Sequence, residues 1–240
     1  MVPDLSVRAS EARELMDAPD ASAPMLDRTY ERFALVNAVV SPWRGLYRRD
    51  IRPRARRGPV RLLDIGAGGG DQARALARRL HRDGFSAQVW ALDADERAVR
   101  WAQAHDATGE VRYRTGSLQE LAEAGEFFDV VYSNHVLHHV ADAALLPFLE
   151  ESRRLLAPGG VVVHHDIVRS RGAYALFAAA TWPFRTTVLA GSYIREDGLT
   201  SIRRSYTVAE LKARVPADWE VRARMPARVE ARAEAPGARA

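Results

Sequence analysis

The chain has no cysteine, and of its 35 basic residues only Lys212 is a lysine. The first absence removes disulfides, thiolate metal ligands and a cysteine nucleophile together. It suits a reducing, cytoplasmic setting. The second means that the basic pI of about 9.7 comes from arginine dispersed along the whole sequence, not from a lysine-rich patch. A net charge of +4 with 31 acidic residues spread in this way specifies no nucleic-acid partner. No leader is expected either, since Met1–Asp20 is polar and charged with no apolar centre. The one nearly continuous apolar stretch, Ala173–Ala190, is interrupted by Pro183 and Arg185. It is marginal in length for a membrane span and reads as a buried or lid-forming helix pair, so no membrane span is expected.

What is present is a regular alternation. With 240 residues, 47% of them hydrophobic, the chain can bury one α/β core. Strands are predicted at 60–65, 88–93, 110–114, 127–132 and 161–165, with helices at 71–82, 95–105 and 142–156 between them, the last ended by Pro158-Gly159-Gly160. Short apolar strands separated by amphipathic helices predict a doubly wound, Rossmann-like, seven-stranded, mostly parallel sheet, with Trp219–Ala223 and Arg228–Ala233 as the closing strands. Ser117-Leu118-Gln119-Glu120 and Thr207-Val208-Ala209-Glu210 are capping boxes that start helices. Residues 1–25 read as a loose arm and 28–50 as helical, with Tyr30, Phe33, Leu35, Val36, Val39 and Val40 on one broad face and a break at Ser41-Pro42. Arg48–Arg57 and Arg195–Ser205 read as polar, loop-like segments.

The most informative stretch is Leu62-Leu63-Asp64-Ile65-Gly66-Ala67-Gly68-Gly69-Gly70-Asp71. A strand runs into a glycine turn that opens a helix, and glycine lets a ligand lie against bare backbone. Counted from Gly66, the last glycine of a dinucleotide G-x-G-x-x-G would fall at 71, where this chain has aspartate. Asp64 and Asp71 flanking the turn are a poor cradle for pyrophosphate and suit a ligand bearing positive charge. Asp93 ends the second strand, 27 residues after Gly66, where a carboxylate can accept hydrogen bonds from both hydroxyls of a ribose.

The segments LDIGAGGGD at 63–71, ALDAD at 91–95, FDVVYSNHVLHHV at 128–140 and LLAPGGVVV at 155–163 resemble the class I S-adenosylmethionine-dependent methyltransferases in motif order and spacing. More faintly, Phe33–Asn37 and the Gly70-Asp71 pair are similar to quinone-biosynthesis C-methyltransferases. The resemblance implies S-adenosylmethionine as cofactor. It implies that Gly66, Ala67 and Gly68 lie against its methionine moiety, with Asp64 and Asp71 toward the amino end. Asp93 and Ala94 would lie at the ribose, Gly116 and Ser117 beside the adenine, and Asn134 and His135 beneath the sulfonium. Many relatives have aspartate where this chain has Ser117. The implied layout is an N-terminal arm with lid helices over 1–57, the methyltransferase domain over 58–235 with an acceptor-side insertion at 170–206, and a disordered tail at 236–240.

Five of the seven histidines fall at two strand ends: His135, His138 and His139, then His164 and His165. An imidazole there suits a general base, and His138 and His165 are the candidates. The i, i+3, i+4 spacing of His135, His138 and His139 would also suit a metal, but none is expected, and packing is the competing use. By the resemblance, the acceptor pocket is built from the N-terminal helices and the insertion; Tyr30, Phe33, Trp182 and Tyr193 are its candidate lining. The expected reaction is O-methylation of a small, largely apolar phenol or quinol-like acceptor, with C-methylation of an activated ring as the alternative. A nicotinamide-dependent oxidoreductase and a non-catalytic cofactor-binding protein are the alternatives of other classes. A homodimer is left open.

Overall fold

A computed structural model describes residues 3–40 and 43–235. The side chains of Leu35, Val36, Val39 and Val40, the break at Ser41-Pro42 and the tail 236–240 lie outside the described residues. Seven strands, β1 (Val60–Ile65), β2 (Ala87–Asp93), β3 (Val111–Thr115), β4 (Phe128–Asn134), β5 (Leu156–Ile167), β6 (Glu220–Arg224) and β7 (Arg228–Glu234), form one sheet in the order β3-β2-β1-β4-β5-β7-β6. The first five are parallel, and β7 runs antiparallel between β5 and β6. The order reverses beside β1, so the carboxyl ends of β1 and β4 diverge into a crevice there.

Helices cover both faces. One face buries Leu62, Val89, Val130 and Val163 under α4 (Asp71–Arg82). The other buries Leu63, Val131 and Val162 under α6 (Leu118–Glu123), α7 (Leu145–Arg154) and α10 (Val208–Arg214). Alternate residues of β1 thus serve opposite cores, which is why its sequence is apolar throughout. A third cluster lies above the carboxyl edge. There Leu26 and Tyr30 of α1 (Ala23–Val40) meet Ala98 of α5 (Glu96–Ala104) and Tyr193. Both capping boxes form, at Ser117 and at Thr207.

Several segments differ from expectation. Arg48–Arg57 is not a loop: after α2 (Trp43–Leu46), a π turn at Tyr47–Ile51 and then α3 (Arg52–Ala55) bury Tyr47, Ile51 and Ala55 at a spacing of four. That stripe outweighs the polar appearance of the arginines between them. Arg195–Ser205 belongs to a helix, α9 (Ile194–Arg204). Gly198 within it read as a loop residue, but a Cβ there would sit 2.4 Å from the Phe177 ring, so the glycine serves a close contact with α8 (Arg171–Thr181). Pro158-Gly159-Gly160 does not end the helix: α7 stops at Arg154, and β5 runs through these residues with a register shift against Phe128–Val130. The apolar stretch after β5 is α8 and a short 3-10 turn at Trp182–Phe184, and it is mostly exposed instead of buried. The N-terminal arm is fixed, not loose: Leu5 and Glu14 are buried, and Arg8 donates to the carbonyls of His138, Val140 and Arg204.

Candidate cofactor and acceptor site

The loop after β1 carries left-handed φ at Gly66 (63°) and Gly68 (52°). A Cβ on Gly66 would lie 2.5 Å from Val136 Cγ2, whereas one on Gly68 would meet nothing within 4 Å. Gly66 is therefore fixed by packing, and Gly68 leaves open space above the loop backbone. The Gly68 amide donates to Asp93 Oδ2 at 2.7 Å and the Asp95 amide to Asp93 Oδ1 at 2.9 Å. Each carboxylate oxygen has two lone pairs, so both retain acceptor capacity toward the crevice. Ala67 and Ala94 lie on these two loops.

Three carboxyls converge here, and all are held above their ordinary range. Burial raises Asp64 well above it, and the charge of Asp71 adds to the effect. Burial also raises Asp71, against the Asn37 amide that donates to it at 3.1 Å and the nearby Arg74. Burial raises Asp93 as well, opposed by its two backbone hydrogen bonds. A cation entering this group would favour all three ionised forms.

At the carboxyl end of β4, His135 takes a left-handed φ of 64°, a conformation that costs a non-glycine residue on the order of 1–3 kcal/mol. It is held by its backbone N–H, which donates to the His165 carbonyl at 3.0 Å, and by Arg228, whose Nη1 donates to His135 Nε2 at 2.7 Å. Arg228 also bonds the Asn134 side chain. Desolvation, with Arg228 alongside, pushes the His135 pKa well down, so this ring is neutral. Burial lowers Arg228 itself to about 10.

His138 is enclosed between carboxylates. Its Nδ1 lies 2.8 Å and its amide 2.8 Å from the Asp166 carboxylate, and its Nε2 faces Glu14 Oε1 at 3.3 Å. Burial opposes the charge, but the two acids outweigh it and raise His138 to about 9, so the imidazolium is the resident form at neutral pH. A ring that already carries its proton cannot take one from an acceptor. His139, one-third exposed, sits between Glu14 Oε2 at 3.7 Å and Asp17 Oδ2 at 3.3 Å.

Glu14 and Asp17 belong to the N-terminal arm, which crosses the crevice as a strap. Asp197 of α9 accepts from the Leu15 and Met16 amides at 2.7 and 3.0 Å, and Arg97 of α5 donates to the Met16 and Ala18 carbonyls. Neither the strap nor Arg228 was legible as functional in the sequence. A glutamate in a polar arm and one arginine among 34 carry no local signal.

The structure separates the two expected bases. His165 lies on the opposite face of β5 from Asp166, buried, with Nε2 2.9 Å from Glu230, which Arg49 and Arg224 also hold. His164 is enclosed between the Ser133 and Ser152 hydroxyls, and burial drives it down to about 3. Ser117 spends its hydroxyl on the Glu120 amide, and Gly116 precedes it. Tyr30 packs on Trp101 and lies in the field of Asp95 and Asp93, on the cofactor side. Tyr193 and the partly buried Phe33 join its cluster, whereas Trp182 is 55% exposed. A cleft of about 340 Å³ opens between α1, α2 and the start of α4, lined by Asn37, Trp43, Asp71 and Arg74. Glu14–His138–His139 and His135–His138–Asp166 each gather potential metal ligands within 4.8 Å, but Arg204 and Arg228 lie against these groups.

A family model described as a methyltransferase domain matches residues 63–164. Residues 63–164 are a class I S-adenosylmethionine-dependent methyltransferase domain. Ubiquinone biosynthesis O-methyltransferases are similar to the chain. The one from Ruegeria sp. (strain TM1040) is 36% identical over 140 residues, 58% of this chain and 53% of that protein. The one from Sinorhizobium medicae (strain WSM419) is 38% identical over 135 residues, 55% and 51% respectively. The chain therefore spans about half the length of the curated relatives it matches. Among solved structures, human N-acetylserotonin methyltransferase in complex with SAM superposes with a TM-score of 0.64 at 15% identity, covering 93% of this chain and 59% of that one. The plantazolicin methyltransferase BpumL with a pentazolic desmethyl analogue and SAH gives 0.59 at 11%, covering 88% and 96%. These two likenesses establish the fold.

The donor set of the methyltransferase domain fits S-adenosylmethionine. Three buried carboxyls, each raised above its ordinary range chiefly by desolvation, match a ligand with a sulfonium and an ammonium group. The open backbone at Gly68 and the free lone pairs of Asp93 offer the surface and acceptors a nucleoside needs. Among the described residues no helix is long and apolar enough to cross a membrane.

Proposed function

We propose that the protein methylates the hydroxyl oxygen of a small, largely apolar phenol or quinol-like acceptor. S-adenosylmethionine supplies an electrophilic methyl group on a sulfonium, which the acceptor displaces in line. The roles read from the sequence are kept for the cofactor end: Asp64 and Asp71 face the amino group, Gly66, Ala67 and Gly68 the methionine, and Asp93 and Ala94 the ribose. Gly116 and Ser117 stand beside the adenine through their backbone. At the acceptor end the reading changes. His138, already protonated, is a positioning residue that keeps Glu14 and Asp166 in place. The acceptor's proton goes to His139. The observation that carries this is the His139 ring, one-third exposed, with Nδ1 3.3 Å from Asp17 Oδ2 and Nε2 3.7 Å from Glu14 Oε2. The similarity to O-methyltransferases supports oxygen as the nucleophile.

Incubation with methyl-labelled cofactor and a panel of catechols, quinols and simple phenols tests the reading, with NMR of the product methyl. A methoxy signal is expected. Transfer to no member of the panel, despite tight cofactor binding, would leave a non-catalytic binder. His139→Asn is expected to lower turnover roughly 10²- to 10⁴-fold with cofactor affinity unchanged, and an unaltered turnover removes His139 from the reaction. One contact favours C-methylation as the second reading. Asn37 and Asp71, from the two segments similar to quinone-biosynthesis C-methyltransferases, are hydrogen-bonded. A ring-methyl signal in the same experiment would establish it.

A further inference from the structure

Between Asp166 and Glu196 the chain has 29 consecutive residues without an aspartate or glutamate, in a protein that otherwise has 31 acids. This stretch also holds four of the large apolar side chains most open to water: Leu176 (63% exposed), Trp182 (55%), Phe184 (49%) and Val188 (45%). The outward stripe of α8 is Ala175, Leu176, Ala179 and Ala180, at helical spacing and with no charge. A helix on the surface of a water-soluble domain ordinarily puts its charges there. Instead, the charges stand at the margins as Arg171, Arg185 and Arg195, and Arg185 lies 3.9 Å over the Trp182 ring. The base of the segment is firmly seated. Leu189 and Tyr193 are buried, the Tyr193 hydroxyl accepts from the Ser22 amide, and Arg32 donates to the Val188 carbonyl. Among the described residues, the tip leaves Leu176, Trp182, Phe184 and Val188 open to water.

We propose that residues 171–190 are a docking surface for an anionic lipid bilayer, with the apolar stripe entering the headgroup boundary and the arginines pairing with lipid phosphates. The argument is one of charge and composition. A tryptophan, a phenylalanine and aliphatic side chains bordered by cations, with no acid among them, match a negative interface. A second copy of the same face would set arginine against arginine. No helix here can span a bilayer, so the segment lies on the surface. Because α8 and α9 pack together and α9 holds the strap, docking brings the crevice close to the apolar phase from which a lipid-soluble acceptor would enter. The docking itself does not depend on the acceptor assignment and is measured without turnover.

Co-sedimentation of the whole protein with vesicles of mixed phosphatidylcholine and phosphatidylglycerol, against phosphatidylcholine alone, tests the proposal. Binding to the anionic vesicles is expected, weakened by salt. The double variant Trp182→Ser with Phe184→Ser, and separately Arg171→Glu with Arg185→Glu, should each lower partitioning about ten-fold or more with unchanged melting temperature. Failure of the wild type to bind either vesicle overturns the proposal, as does equal binding by the variants. Sedimentation velocity supplies a third overturning result, a wild-type dimer that the Trp182 and Phe184 changes dissociate, which would show a second copy covering the patch.

Discussion

Asp93 illustrates how far a single residue can be read. An acid ending an apolar strand needs a partner, and the structure supplies two backbone amides while leaving lone pairs free. Replacing it with alanine should weaken cofactor binding about 10- to 100-fold, from the loss of hydrogen bonds to a charged group worth roughly 1.5–3 kcal/mol. Calorimetry of Asp93→Ala beside Asp93→Asn checks this, and wild-type affinity in both removes the ribose role. Asp64 leads to a pH dependence. Its pKa is raised in the free protein, and a bound cation favours its ionised form. Binding should therefore release protons and tighten as pH rises from acid toward the Asp64 pKa. Titrations in buffers of different ionisation enthalpy measure that release, and the same heat in every buffer would refute it. Asp64 was legible from its place beside the glycine turn. Arg228 was not, because its meaning lies in what β7 sets it against.

At the scale of elements, the strap is the unit that matters most. Arg8 anchors it through the carbonyls of His138, Val140 and Arg204, a hydrogen bond to Tyr206, and its guanidinium 4.0 Å over the Tyr206 ring. Arg8→Ala leaves several partly buried acceptors unpaired and should cost on the order of 3 kcal/mol, read as a shift in the urea midpoint. The same variant should raise hydrogen exchange at Leu15 and Met16, whose amides Asp197 holds. Unchanged exchange there would mean that the strap does not depend on Arg8. Elements with local signals, such as the two capping boxes and α4 after its glycine turn, were read from the sequence at or near their observed bounds. α9 and α3 were missed because their stripes are short, and arginines and a glycine fill the positions between.

For the whole molecule, buried ionisable groups set a pH window. His138 is raised to about 9. Its stabilisation is full below the unfolded histidine value near 6.5 and fades as pH climbs toward 9. His164 is lowered to about 3 and His135 is lowered well. The unfolded chain protonates these two first, so stability also falls as pH drops below about 6.5. Asp166 and Glu230, both held well below the usual carboxylate range by their histidine and arginine partners, add stability that is lost at still lower pH. The melting temperature should peak near pH 6.5, and a monotonic rise from pH 6 to 9 would contradict the charged state of His138.

The sequence by itself determined the class of sheet, the glycine turn and the acid at the end of β2. All of these follow from short-range constraints: alternation of apolar residues, backbone freedom, and a carboxylate where a strand ends. Only the tertiary structure decided which histidine is charged, which is neutral and which is merely packed. That depends on Glu14, Asp166, Glu230 and Arg228 arriving from distant strands and from the strap, and an imidazole takes its proton affinity from the charges around it rather than from its place in the chain.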